Sequence, residues 1–246
     1  MNLLIDLGNS RIKWAWSEGA ALRQQGAAYY AGRPLAEALE EIASGGVAPD
    51  RVVVASVAAR GTNDELSAWL GGRYELTPML VRAEAVAHGI TNAYREPGRL
   101  GADRWAALVG ARQRAAGDVC VVDCGTAITI DMLDARGQHR GGLIGPGVLT
   151  MRHALYGATA GIPDEGEGAI TPLGTDTRSA VTAGTLYAAA AFVDRVHAEM
   201  EHESGRPLPC LITGGDALVL QPLLQKEYES TPDLVLEGLA VIANDR

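Results

Sequence analysis

The sequence predicts an α/β protein of two similar lobes. Three observations carry this: "LLIDLGNSRIK" from Leu3 is an apolar strand closed by a carboxylate, a glycine and small polar residues; "VVDCGTAITI" from Val121 repeats it; and strand patterns alternate with helical ones in both halves. Laying residues 3–13 against 120–130 puts Asp6 over Asp123, Gly8 over Gly125 and Asn9 over Thr126. The halves therefore read as distant copies whose equivalent turns could face one another across a cleft. A boundary near Gly117 gives an N-terminal lobe, 1–117, and a C-terminal lobe, 118–246.

Residues 2–16 read as strand, glycine turn and strand, and "PLAEALEEIA" then sets Leu35, Ala38, Leu39 and Ile42 at helical intervals. A strand, "RVVVASVA", follows from Arg51. "NDELSAWLGG" predicts a short helix capped by Asn63 and closed by Gly71 and Gly72. After a weaker strand at 79–81, residues 88–99 carry Gly89, Pro97 and Gly98 and read as a loop, which gives way to a helix at about Asp103. The second half opens with strands in a meander, turning at Gly125 and around Arg136 and Gly137. Helices are expected at 148–156 and 179–203, then a final strand, "PCLITGG", a helix from Asp216 and a helical C-terminus from about Leu234. Residues 162–177, rich in Gly, Pro, Asp and Glu, read as a surface loop with freedom to move.

With 246 residues, 47% of them apolar, the chain can bury a sizeable core. Its formal net charge of -9 disfavours a surface built for nucleic-acid phosphates or anionic lipid, so neither nucleic acid nor membrane is an expected partner. Asp6, Arg11 and Lys13 interrupt what would be a signal peptide, and the longest uncharged stretch, 179–193, falls short of the roughly 20 residues needed to span a bilayer. Cys120, Cys124 and Cys210, odd in number and on apparent strands, fit small buried hydrophobes in a reducing cytoplasm. Trp14, Trp16, Trp69 and Trp105 read as packing. The five histidines form no constellation, and "DEGEG" from Asp164 reads as a solvated acidic run.

A strand followed by carboxylate, glycine and hydroxyl suits phosphate binding. Glycine admits close approach, successive N–H groups form an anion-binding concavity, and Asn9, Ser10 and Thr126 add donors. A carboxylate there would repel a polyphosphate unless it held a metal ion or its water shell, which points Asp6 and Asp123 toward Mg2+ with a nucleotide. Lys13 supplies a cation within reach of a phosphate. Either motif alone reads as an ordinary turn; two in register favour the phosphate site.

"DLGNSRIK", "DCGTA" and "ITGGDA" resemble the two phosphate motifs and the adenosine motif of the acetate and sugar kinase, Hsp70 and actin superfamily. "NAYREPGRLGADRWAALVGAR" and "GGLIGPGV" further resemble the signatures of type III pantothenate kinases, over nearly the whole chain. The resemblance implies two ribonuclease-H-like, actin-like ATPase lobes with mixed sheets and an interlobe nucleotide cleft. It also implies phosphorylation of pantothenate by ATP to 4'-phosphopantothenate, the first step of coenzyme A biosynthesis. Asp6, Leu7, Gly8, Asn9, Ser10, Arg11, Ile12 and Lys13, with Thr126, would bind ATP, and Asp123 a monovalent cation, K+ or NH4+. Asp6 would meet Mg2+ through water. Tyr94, Gly101, Ala102, Asp103, Arg104 and Thr182 would bind pantothenate, Asp103 acting as catalytic base, in a cytoplasmic homodimer with the helix after Ser179 in its interface. Asp103 could instead be a helix N-cap, Arg104 and Tyr94 structural anchors, and Thr182 a residue bonded to its own helix. Ser10 stands where the family often has Thr, and Cys124 inside the second phosphate motif raises an expectation of oxidation sensitivity. A phosphohydrolase and a non-catalytic nucleotide-binding regulator are the rival readings.

Overall fold

The computed structural model describes residues 1–43 and 48–245. It divides into two units: Met1–Gly117 with Leu133–Gly141 and Asp233–Arg246, and Asp118–Met132 with Gly142–Pro232. Each holds a five-stranded sheet.

In the first unit, β1 (Asn2–Leu7) pairs antiparallel with β2 (Arg11–Glu18), and β2 with β3 (Ala21–Tyr29). Helix α1 (Leu35–Ala43) follows; β4 (Arg51–Ser56) then lies parallel to β1, and beyond helix α2 (Arg60–Tyr74) β5 (Met79–Leu80) lies parallel to β4. The sheet order is β3-β2-β1-β4-β5. Val52, Val53, Val54 and Ala55 of β4 are all buried, as a strand covered on both faces should be. A small hairpin of β6 (Val86–Ala87) and β7 (Ile90–Thr91) leads to a 3-10 turn at Pro97–Arg99 and helix α3 (Ala102–Arg114).

The second unit repeats the order with β8 (Val119–Cys124), β9 (Ala127–Leu133), β10 (His139–Pro146), β11 (Cys210–Thr213) and β12 (Glu229–Ser230), arranged β10-β9-β8-β11-β12. Helices α4 (Val148–Ala158), α5 (Thr177–Ser204) and the short α6 (Ala217–Leu220) accompany it, while α7 (Leu234–Asn244) belongs to the first unit. Asp6 and Asp123 both occupy the penultimate position of their strands, so the repeat read in the sequence is also a repeat of topology. Asp176 caps α5, accepting from Ser179 N–H at 2.8 Å, and that bond holds its carboxyl below the usual range.

Several elements differ from the sequence reading. Strand β3 goes unannounced because most of it is exposed, a polar edge without alternation; its Gly26 lies under the Trp14 ring, where an added Cβ would come within 2.2 Å. Helix α2 starts three residues before Asn63 and runs through Gly71 and Gly72 to a left-handed Glu75. Asn63 is not its cap and instead donates to the carbonyls of Ala58 and Ala59. Residues 88–99 contain β7 and the 3-10 turn, and β11 is followed by one more strand, β12, too short to show a pattern.

Helices α3 and α7 cross with their backbones in contact. An added Cβ on Gly110 would lie 2.4 Å from the Leu234 carbonyl oxygen, and one on Gly238 1.8 Å from that of Ala106. Trp105, Leu108, Val109, Leu234, Leu236 and Leu239 are buried around the crossing. Trp14 and Trp16 belong to the core of the first sheet. No described helix is long and apolar enough to cross a membrane. Because backbone oxygen cannot move aside as a side chain can, Gly238→Ala is expected to cost about 3 kcal/mol of stability in urea denaturation; an unchanged midpoint would contradict the close crossing.

Candidate active site

The first phosphate motif is the tight turn joining β1 to β2. Gly8 N–H donates to the Arg11 carbonyl at 3.1 Å, and its ideal Cβ would lie 3.2 Å from that oxygen. Tyr30 fastens the turn from outside: its hydroxyl donates to the Gly8 carbonyl and its N–H to the Ser10 carbonyl at 3.0 Å. Asp6 and Lys13 stand opposite one another across the strand pair, at the half-buried end of the hairpin, and Asn9 is exposed at its tip. Leu7 and Ile12 are fully buried and serve the turn as core residues. The Arg11 guanidinium lies 5.1 Å from the centre of the Tyr29 ring.

Still within the first unit, Gly101 caps α3 and Asp103 is the second residue of the helix. Asp103 is therefore not the N-cap. Its Oδ1 accepts from Arg104 N–H at 2.7 Å and would lie 2.5 Å from a Cβ on residue 101, so the carboxylate occupies the space that glycine leaves open. A helix N-terminus favours negative charge at this position. Arg104 is buried, with its Nη1 donating to the Tyr94 hydroxyl at 2.8 Å and Cζ 5.6 Å from that ring's centre. The structure thus joins Tyr94, Gly101, Asp103 and Arg104, with Ala102 buried beneath them. A cavity of about 350 Å³ opens beside Gly101, lined among others by Ser56, Val57, Arg82 and Arg99.

The second phosphate motif lies in the other unit, where Gly125 N–H donates to the Ala127 carbonyl at 3.0 Å. The "GGLIGPGV" segment closes on it. Gly147 N–H and Thr150 Oγ1 donate to the Thr126 carbonyl at 3.0 and 2.6 Å, and a Cβ on Gly147 would fall 1.9 Å from the Gly125 oxygen. Exposed Thr126 consequently sits at the N-terminus of α4, whose unpaired N–H groups favour anions. "ITGGDA" packs on the same motif: Asp216 N–H donates to the Cys124 carbonyl at 2.9 Å, and Gly214, at φ +100°, would carry a Cβ 2.5 Å from Asp123 Oδ1.

Thr182, buried on α5, belongs to this second unit. Its hydroxyl accepts from Gly168 N–H at 2.8 Å; it is Thr185 that bonds back to the helix, to the Val181 and Thr182 carbonyls. Thr182 therefore ties down the 162–177 loop, helped by Ala169 N–H on Ser179 Oγ and by buried Arg152, which donates to Glu167 at 2.8 Å. His197 Nε2 donates to the Leu208 carbonyl, and His88 pairs with Asp245. The sequence reading missed His139, fully buried and stacked beside Tyr94; as a lone histidine on a strand it gives no signal.

Two parallel-containing sheets in the same order, each with a phosphate-type turn after its first strand, define the actin-like ATPase and sugar-kinase class of fold. Solved structures agree in fold: an activator of 2-hydroxyisocaproyl-CoA dehydratase from Clostridium difficile, solved with ADPNP, at TM-score 0.55 and 12% identity over 99% of this chain and 94% of that one, and a glucokinase from an Antarctic psychrotroph at 0.50 and 12% over 100% and 99%. The family model for type III pantothenate kinase matches residues 2–199. A type III pantothenate kinase of Nitrosococcus oceani is 43% identical over 100% of this chain and 94% of its own length. The chain belongs to the type III pantothenate kinase family.

Cys124 does not fit an oxidation-sensitive site. Burial first, then the Asp123 and Asp216 carboxylates, push its thiol far above the ordinary range, and only the thiolate is reactive. Cys120 and Cys210 are buried as well. Folded protein at pH 8 is expected to take up no iodoacetamide at Cys124, as read by mass spectrometry; labelling of Cys124 without unfolding would contradict this.

Proposed function

We propose that this chain transfers the γ-phosphoryl group of ATP to the primary hydroxyl of pantothenate, giving 4'-phosphopantothenate for coenzyme A synthesis. The observation that carries the reading is the Asp103 carboxylate, seated in the space left by Gly101 with the Arg104–Tyr94 pair beside it, in a chain of this family. Phosphoryl transfer to an alcohol asks the protein mainly to position the hydroxyl, receive its proton and neutralise charge on the phosphates. Asp103 receives the proton. Tyr94, Gly101, Ala102, Arg104 and Thr182 hold pantothenate, Arg104 offering the charge that an acidic substrate requires. The turn of Asp6 to Lys13 and Thr126 hold the ATP phosphates through N–H groups, hydroxyls and the Lys13 ammonium.

Among the described residues, no group of three or more His, Cys, Asp or Glu is arranged as a metal cage. The kinase family implies Mg2+ brought with ATP, an ion that takes one or two protein carboxylates and completes its shell with phosphates and water. Asp6 would meet its water shell, and the bound ion would offset charge on the transferred group. Asp123, beside the close-fitting Gly214, is the residue for a monovalent cation, K+ or NH4+.

A homodimer is part of the reading. Leu143, Ile144, Leu149, Leu155 and Tyr187 are exposed in the second unit, and an apolar groove of about 900 Å³ runs between α4 and α5. Sedimentation at micromolar concentration is expected to give twice the 25.8 kDa chain mass; a monomer would contradict it. The reducing cytoplasm suits its free thiols.

Release of ADP is expected to require pantothenate and Mg2+ and to run faster in K+ than in Na+. Asp103→Asn should lower kcat by about 10²–10⁴-fold while leaving the KM for ATP near wild type. Turnover without pantothenate would mean hydrolysis instead, and no turnover under any condition would mean a nucleotide-binding regulator.

A further inference from the structure

We propose that His139 is a positioning residue for the substrate loop, setting the plane of Tyr94 and, through Tyr94, the place of the Arg104 guanidinium. The proposal rests on the reading above that these two residues hold pantothenate. His139 opens β10 and is fully buried. Its ring lies 17° from parallel to Tyr94, centroids 6.2 Å apart, within the range of a stacked pair. Ala93 N–H also approaches Nδ1 at 3.5 Å, long for a hydrogen bond.

Tyr94 needs such a contact because it follows β7 in irregular chain, where no helix or strand ladder restricts its side chain. Arg104 holds the hydroxyl through Nη1 and sets its guanidinium against the ring, Cζ 5.6 Å from the centre, so a stacked neighbour adds a contact of a different kind, one that fixes the ring plane. His139 supplies the second constraint, and its own backbone is registered to the loop it supports. Thr91 N–H donates to the Gly137 carbonyl at 2.9 Å, and Gln138 Nε2 donates to the Thr91 carbonyl at 3.1 Å. Gly137, at φ +81°, comes so close to the Gly89 carbonyl that a Cβ would lie 2.0 Å from its oxygen. The turn between β9 and β10 is thereby clamped to residues 89–91, and the imidazole is delivered to one place under the tyrosine.

The test compares His139→Phe, which keeps a flat ring, with His139→Leu, which fills similar space without one. Varying pantothenate and ATP separately, the leucine variant is expected to raise the KM for pantothenate about five- to tenfold with the KM for ATP unchanged, and the phenylalanine variant to stay within about twofold of wild type. A wild-type KM for pantothenate in the leucine variant, a parallel rise in both KM values, or no rescue by phenylalanine overturns the proposal. If the leucine variant does not fold, the phenylalanine variant decides alone. Carbon-13 tyrosine spectra without substrate, assigned with Tyr94→Phe, separate this idea from the kinase reading. Tyr94 signals should be sharp in wild type and the phenylalanine variant and exchange-broadened in the leucine variant; equal sharpness in all three overturns positioning. The expected broadening in a protein that does not phosphorylate pantothenate would uphold the positioning and refute the function.

Discussion

The contact on which the candidate site depends is the crossing of α3 and α7. Gly110 and Gly238 let the two helix backbones touch, which no residue with a side chain would permit at that separation. Helix α3 begins with the Asp103 and Arg104 side chains, so its axis fixes where the carboxylate and the guanidinium point. The axis is set in turn by α7, which also packs against β1 and β4, the strands at the centre of the first sheet. A residue near the end of the chain thereby governs the placement of a carboxylate near its middle. Arg114 and Glu237 close the other end of the pair with two N–H to carboxylate bonds of 2.6 Å.

Glycines recur in the second unit for a related reason. Gly147 and Gly214 bring two further segments onto the turn at Gly125, each at a separation that leaves no room for a Cβ. One approach delivers the start of α4 to Thr126, the other lays "ITGGDA" against Asp123 and Cys124. The turn is thus held by backbone packing on two sides, which for the proposed anion site would reduce the ordering entropy lost on binding. The same crowding buries Cys124 and keeps it a thiol.

Much of the candidate site was legible in the sequence because its chemistry is local. A turn of Asp-x-Gly-x-Ser, and Gly-Ala-Asp-Arg at the head of a helix, declare themselves within a few residues, and the repeat of the Asp-x-Gly part at Asp123 marked the internal duplication. The element boundaries that were misread share a cause. Strand β3 and the hairpin at 86–91 are short or exposed and bury too little to leave a period of two, and α2, which buries Leu66 and Leu70 alone, shows too little of an apolar face to mark where it begins and ends. Thr182 was open to a helix-bonded role on propensity, and a loop fourteen residues earlier claimed its hydroxyl instead.

By itself the sequence marked most of the strands and helices and the repeated Asp-x-Gly turn, which follow from periodicity and from neighbouring residues, and pointed to the family through the resemblance of its motifs. Only the tertiary structure decided what lies beside them. That Tyr94 is held between an arginine ten residues on and a histidine forty-five residues on, and that α7 braces α3, are contacts between residues separated in the chain. Their geometry is set by side-chain volume and backbone approach in the folded core, and no local pattern encodes those distances.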